Sequence, residues 1–328
     1  MIPSITASAP GKVILSGEYA VLDGAPAICM AVDRRACVTV SRTTADTSNI
    51  AAPGFTDIVG RFRVTQAGIE WIAGEKAFQV VDAAWRASED WPDTSVDMIL
   101  DTRQFIDARS GSKIGLGSSA ALTAALCAAL AGSVAIGDVA HNAHRILQAS
   151  LGSGVDVACS LHGGLIRYRM QDSASAGMSW PKGLLFRLIW TGVAVSTSGK
   201  LGLLASGTRA PSRTGLVLAA EAMASAWENG DVDDILDRYA HYIEQLQAFG
   251  VDHRLGIFDA GHDRLLVAAR DAGLVYKPCG AGGGDIGIVL GTDATELDRF
   301  VAELPTDFAA VGCELDFDGT RIEELTAR

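Results

Sequence analysis

Gly111-Ser-Lys-Ile-Gly-Leu-Gly-Ser-Ser-Ala120 runs directly into the Ala/Leu pattern of a helix that reaches about Ala131. Leu122, Leu126 and Leu130 recur four residues apart and share one helical face. Glycines let a backbone approach a ligand closely, and the free N–H groups at a helix start bind phosphate. Gly115, Leu116, Gly117, Ser118, Ser119 and Ala120 are therefore candidates for a phosphate cradle, with the Ser119 hydroxyl as a Mg²⁺ ligand. Taken alone, such a string is more often a plain glycine loop with a serine N-cap. It also fits the degenerate dinucleotide fingerprint GxGxx(G/A), which needs an apolar strand just before it. Here Asp107–Lys113 is polar, and the P-loop pattern GxxxxGK(S/T) is absent from the chain.

The helix lies in an uncharged stretch, Ile114–Gly137, made mostly of Ala, Gly and Ser. A membrane span needs about 20 predominantly apolar residues, so a buried soluble helix is expected instead. On the N-terminal side, Val13–Ser16, Ala27–Val32 and Ala36–Arg42 read as strands, Gly68–Glu89 as a helix and Val96–Leu100 as a strand. On the C-terminal side a helix is expected near Asp138–Ala149 and a strand at Leu165–Met170, followed by a polar linker, Asp172–Gly183. Beyond it, Leu184–Val195 reads as a strand. Val217–Glu228, Val232–Phe249 and Asp263–Ala272 read as helices, and Asp231 is the N-cap of the second. Val275–Leu290 reads as strand, glycine loop, strand, Glu296–Leu304 as a helix and Ala309–Asp318 as a closing strand. Strands and helices do not alternate strictly, which favours α+β in two lobes over a doubly wound sheet.

Three further strings stand out. Ala9-Pro-Gly-Lys-Val-Ile-Leu-Ser-Gly-Glu-Tyr-Ala-Val-Leu22 contains a Pro-Gly turn and Lys12, an ordinary surface charge when read alone. Gly152-Ser-Gly-Val-Asp156 is a small-residue turn in which Asp156 reads as a cap. Cys279-Gly-Ala-Gly-Gly-Gly-Asp285 lies between apolar strands. A hairpin needs one or two glycines, so this density points to close backbone approach to a ligand.

Together and in this order, over about residues 7–290, the strings resemble the GHMP kinase superfamily. Pro10-Gly-Lys12 with Gly17-Glu-Tyr-Ala20 looks like its first motif, Gly115–Ala121 its second and Gly280–Gly284 its third. The resemblance implies a two-lobed α+β fold, with an N-terminal lobe like ribosomal S5 domain 2 and a ferredoxin-like C-terminal lobe. Residues 1–175 would form the ATP-binding lobe and 184–328 the lobe completing the substrate site. Within the superfamily the phosphomevalonate kinases are the branch resembled most, through Gly17-Glu-Tyr-Ala-Val-Leu22, Lys113-Ile-Gly-Leu-Gly-Ser-Ser119, Gly152-Ser-Gly-Val-Asp-Val-Ala158 and Trp190-Thr-Gly-Val-Ala-Val-Ser-Thr197. The implied activity is ATP- and Mg²⁺-dependent phosphorylation of 5-phosphomevalonate to its diphosphate, in isoprenoid synthesis. Lys12, Lys113 and Asp156 would be catalytic. Glu18, Tyr19, Ser153, Gly154, Ser196, Thr197, Gly282 and Gly283 would contact the acceptor, Glu18 serving equally as a structural turn acceptor. Arg209 and Arg213 join them on charge alone. Arg145 stands where mevalonate kinases carry a Mg²⁺-binding Glu, so no second metal carboxylate is located. Another small-molecule GHMP kinase, a non-catalytic ATP-binding sensor and a dehydrogenase are the alternatives. A sensor need not keep Lys12, Lys113, Ser119 and Asp156.

Composition bounds these readings. The chain has 328 residues, 39 Asp plus Glu against 27 Lys plus Arg, and a net charge of -12. Its 48% hydrophobic and 20% charged content excludes intrinsic disorder, and the acidic balance argues against non-specific nucleic-acid binding. Six cysteines without a CxxC pair, and no basic segment before an apolar run at the N-terminus, suit a reduced, cytoplasmic protein. A small phosphorylated acid is the expected partner, with neither nucleic acid nor membrane, for a monomer or homodimer. Only six of the 27 basic residues are Lys, and Lys12, Lys113, Lys200 and Lys277 lie in or beside the motif strings. A compact ammonium suits a moving phosphoryl group. For Lys200 and Lys277, plain surface charge remains the alternative. A phosphate acceptor is largely ionised at neutral pH, so Asp156 is expected to orient Lys12 rather than act as a strong base.

Overall fold

The structure is a computed structural model describing residues 3–66, 68–88, 94–131, 136–171, 174–195, 197–206 and 210–327. Its first layer is a mixed sheet of β1 (Pro3–Ser16), β2 (Ala27–Arg42), β3 (Ser48–Ala52), β4 (Thr56–Thr65), β5 (Gly68–Ala73), β6 (Val96–Asp101) and, from the far end of the chain, β13 (Arg321–Ala327). The order is β13-β1-β2-β6-β3-β4-β5; β7 (Leu165–Arg169) and β8 (Ala174–Met178) extend it along the first half of β2. Helices α1 (Gln79–Ala87), α2 (Ser118–Ala131), α3 (Ile136–Leu147) and α4 (Val155–His162) pack together, with α2 and α4 against β1 and β2. Residues 120–130 of α2 are buried all round, which explains their lack of charge. Among the described residues no helix is long and apolar enough to cross a membrane.

The second layer holds β9 (Leu185–Trp190), β10 (Val275–Pro278), β11 (Ile286–Gly291) and β12 (Ala309–Val311), all antiparallel, in the order β10-β11-β9-β12. Counted along the chain this is second, third, first, fourth, the ferredoxin-like arrangement. Around it lie α5 (Thr197–Ser206), α6 (Ser212–Asn229), α7 (Val232–Asp252), α8 (His262–Asp271) and α9 (Ala294–Ala302). Asp231 caps α7 as expected, accepting from the amides of Asp233 and Asp234. One apolar cluster runs through both lobes, from Ala7 and Leu116 to Tyr239 and Leu290.

Four local expectations change. Gly68–Glu89 is not one helix. Strand β5 pairs with β4, Trp71 packs on Phe62 at 5.4 Å between ring centroids, and Gly74 at φ 84° separates the strand from α1. Within the expected linker, residues 174–178 form β8 on the edge of β7, while 172 and 173 lie outside the described residues. The closing strand stops at Val311, because the next residues dock on β2 through Asp33 N–Glu314 O and Asp316 N–Ala31 O. They deliver β13 to β1, so the division at 175/184 leaves out this last strand, which belongs to the first sheet. Finally, Pro10-Gly11 is an irregularity inside the long strand β1 rather than a turn before it. A Cβ on Gly11 would lie 2.6 Å from Leu116 O and 2.8 Å from the Phe105 ring, so glycine lets β1 press against the phosphate-cradle candidate.

Candidate active site

Strand β1 and the loop before α2 are joined by the Lys12 amide, which donates to Leu116 O at 2.9 Å. The Lys12 stem then runs along Gly117, where an added Cβ would sit 2.8 Å from Cε and 2.9 Å from Cγ. Its ammonium reaches Asp156 Oδ1 at 3.0 Å. Burial disfavours the Lys12 charge, but the facing Asp156 carboxylate together with Cys29 and Cys159 more than offsets it, and the group is held well above its ordinary range. Asp156 stands in the first turn of α4, entered through Gly154 at φ 84°. The turn is braced from behind, since Tyr168 Oη donates to Ser153 O at 2.8 Å, and Tyr168 and His141 stack beneath Gly154.

The second lobe supplies the opposite wall. After β10 the chain enters Gly280–Gly284, where Gly280, Gly282, Gly283 and Gly284 all have positive φ. A Cβ on Gly280 would sit 3.8 Å from Lys12 Nζ. Ala281 O accepts from Tyr19 Oη at 2.6 Å, tying the first motif to the third. Lys200 Nζ, from α5, donates to Gly282 O at 2.6 Å and lies 3.3 Å from Ala281 O. Asp285 closes the loop. Its Cβ occupies the space over Gly115, 2.3 Å from where a Cβ on that glycine would be, and its Oδ1 accepts from the Val195 amide at 3.2 Å. Burial raises the Asp285 pKa, while the Val195 amide and the fields of Lys12, Lys200 and Lys113 pull it down.

A cleft opens between these walls, lined by Lys12, Tyr19, Ser153, Gly154, Asp156 and Ala281 among others. Gly115–Ala120 forms the loop and first residues of α2, whose leading amides have no partner inside the helix. Lys113 is exposed, with its ammonium 5.0 Å from the centroid of the Phe55 ring. Gly282 and Gly283 pack against Ile257 O and the Lys200 ammonium, respectively, on the second-lobe side of the loop. Glu18 also borders the cleft, but it is only 3% exposed and pairs with Lys277. Thr197 starts α5, with its side chain outside the described residues. Ser196 and Arg209 also lie outside them. Arg213 faces Asp23 in a neighbouring hollow and Arg145 bonds Asn142 at the surface; neither is brought to the lysine cluster.

Sequence reasoning passed over three residues here: Asp285, Gln148 and Tyr242. Asp285 ends the glycine run, the one local signal of its place. Gln148 borders the cleft with its amide over Gly152. Tyr242 reaches the first motif from α7, a contact that helical periodicity cannot reveal.

The Mg²⁺ that the family resemblance implies can be tested against these donors. No group of three or more His, Cys, Asp or Glu among the described residues could hold a metal ion. The exposed Ser119 hydroxyl at the helix start remains available beside the phosphate cradle. This set suits a Mg²⁺ that arrives on nucleotide phosphates and takes one protein oxygen, and it does not suit a resident all-protein site.

Residues 79–164 match the family described as the GHMP kinases N terminal domain. The chain is 31% identical to a phosphomevalonate kinase of Streptomyces sp. (strain CL190), covering 88% of this chain and 90% of that one. A crystal structure from Listeria innocua superimposes with a TM-score of 0.82 at 22% identity, covering 98% and 99% of the two chains. Streptococcus pneumoniae phosphomevalonate kinase in complex with phosphomevalonate and AMPPNP gives a TM-score of 0.74 at 19% identity, covering 94% and 99%. At those identities the two structures speak for the fold.

Proposed function

The chain belongs to the GHMP kinase family, and from that premise we propose that it transfers the γ-phosphoryl group of ATP to the phosphate of 5-phosphomevalonate, giving 5-diphosphomevalonate and ADP. The carrying observation is the Lys12–Asp156 ion pair set in the cleft between the helix-start loop, along which the Lys12 stem runs, and the Gly280–Gly284 loop. Two anions can meet there on a protein of net charge -12.

The step forms a bond from an acceptor phosphate oxygen to the γ-phosphorus and breaks the bond from that phosphorus to the β,γ-bridging oxygen, which leaves on ADP. The equatorial oxygens carry the developing charge, so positioning and neutralisation dominate the chemistry. Amides of Gly117–Ala120 cradle the nucleotide phosphates at the start of α2. Lys12, kept charged by Asp156, and Lys113 face the transferring group. Tyr19, Ser153, Gly154 and the third-motif loop with Gly282 and Gly283 shape the acceptor side, and Ser196 and Thr197 complete it by motif match. Asp156 orients Lys12, because an acceptor phosphate with a second pKa of about 6 needs little help losing its proton. Ser119 would hold Mg²⁺, which when bound neutralises phosphate charge. The six cysteines are free, in keeping with a cytoplasmic protein; we place it there as a monomer or homodimer.

One assay tests the reading: ADP release with 5-phosphomevalonate, mevalonate, homoserine and hexoses offered separately. Turnover should be highest with 5-phosphomevalonate. Preference for an unphosphorylated acceptor would reassign the substrate within the family, and no ADP with any acceptor would leave an ATP-binding sensor.

A further inference from the structure

Beneath the cleft lies a charged group that the transfer itself does not use. Lys277, in β10, is fully buried, and its Nζ reaches Glu18 Oε1 at 2.5 Å and Ile14 O at 3.3 Å. The other Glu18 oxygen accepts from Tyr242 Oη at 2.8 Å, and that same hydroxyl oxygen accepts from the Gly17 amide at 2.7 Å. The acid comes from the first lobe and both its partners from the second, so the network spans the seam between them. Its attachment points matter. Ile14 follows Lys12 by two residues along β1, Glu18 immediately precedes Tyr19, and Lys277 stands three residues before Gly280. Tyr19 itself is held at φ 62°, a conformation unusual for a bulky residue, with its hydroxyl on Ala281 O.

A buried ion pair is a poor device for stability alone, since well-packed apolar residues of the same volume often do as well or better. What a pair and its hydrogen bonds add is a fixed relative geometry of the backbones that carry them. Resting on the phosphoryl-transfer reading above, we infer that Lys277, with Glu18 and Tyr242, is a positioning residue: it sets the register between the Lys12 strand and the Gly280–Gly284 loop. The two walls of the cleft then meet at the spacing that transfer requires. None of the three side chains need touch substrate for this.

The test uses the paired apolar replacement Glu18→Leu/Lys277→Met and, because that variant can fail to fold, Tyr242→Phe, which keeps the ring and removes only the hydroxyl. Thermal midpoint, kcat and KM, and amide hydrogen exchange of residues 279–285 are read for each. Positioning predicts a midpoint near wild type, kcat reduced about tenfold or more, and exchange in 279–285 faster than in wild type by a similar factor. A variant with a wild-type midpoint, wild-type kcat and wild-type exchange would overturn the inference. Exchange needs no substrate, so it decides the matter even if wild type turns over none of the acceptors, the outcome that would sink the function reading instead.

Discussion

Lys12 Nζ lies 3.0 Å from Asp156 Oδ1, joining β1 to the first turn of α4. The contact makes the lysine a permanently charged group. Because Asp156, with Cys29 and Cys159, more than offsets burial and raises the Lys12 pKa, the ammonium stays protonated up to and beyond its ordinary value of about 10.4. The kcat–pH profile should therefore show no alkaline limb from this residue below about pH 10. Lys12→Met should lower kcat about 10²–10³-fold, the loss typical of one preorganised electrostatic group.

Asp156→Asn separates orientation from proton abstraction. A general base contributes about 10²–10⁴-fold. If Asp156 only orients Lys12, the variant at pH 8, where the acceptor phosphate is fully ionised, should keep substrate binding and lose about tenfold in kcat. A loss of several orders of magnitude there would make it the base.

Gly115→Ala introduces two faults. The position has φ 93°, and its Cβ would meet Asp285. Strain of this kind costs about 1–3 kcal/mol, equivalent to about 5–150-fold in binding. Titration calorimetry with a non-hydrolysable ATP analogue should find affinity reduced within that range, with thermal stability much less affected. Unchanged affinity would mean the loop does not bind nucleotide.

Lys200 presses on the loop from its outer side. Hydrogen bonds to a charged group contribute about 1.5–3 kcal/mol, which screening at a half-buried site reduces to about 1 kcal/mol. Lys200→Met should raise KM for the acceptor about fivefold while changing ATP affinity little. Lys200→Arg should not rescue it, because the ammonium already fills the space beside Gly283.

His262 makes stability depend on pH. Burial lowers its pKa to about 4, and its two nitrogens bond Tyr276 Oη and Gly284 O. The carbonyl can only accept, so Nε2 carries the proton and Nδ1 accepts from the tyrosine. The folded value lies below the unfolded value of about 6.5, so unfolded chains bind more protons between the two. Stability from this group is complete above pH 6.5 and declines as pH falls towards 4, by about 2 kcal/mol at pH 5. Denaturant melts at pH 7 and pH 5 should show the decline, and His262→Gln should remove most of it.

The parts of the site that sequence reveals are those where the backbone itself does the work. Gly115, Gly117, Gly154 and Gly280–Gly284 are needed for conformations or approaches that a Cβ forbids, and such needs are written locally. Lys12 and Asp156 could be matched because motif order places them. Lys277 could not, since nothing in Val-Tyr-Lys-Pro says that its ammonium crosses to another lobe to meet Glu18. Asp285 and Tyr242 were hidden for the same reason. In the fold, α7 forms along the apolar face its spacing marks and α2 along an uncharged run buried on every side, whereas β5 reads as helix because its short alternation runs into a helical segment. Arg321-Ile-Glu-Glu-Leu-Thr-Ala327 carries too much charge to announce a strand, and forms one because β1 offers it an edge.

That last pairing has a bearing on how the protein comes into being. Pro3 stands opposite Ala327, so β1 is matched with a strand made more than 300 residues after it. Domains usually fold in order of synthesis, but here the early lobe must wait with one flank of β1 open, its N–H and C=O groups available to any passing strand. Arg35 waits too: Ser8 is already present, but Asp316 and Gly319 O arrive only with the segment that leads into β13. A nascent chain halted before residue 321 would hold a completed second lobe beside a first one whose β1 flank is still open to misassociation.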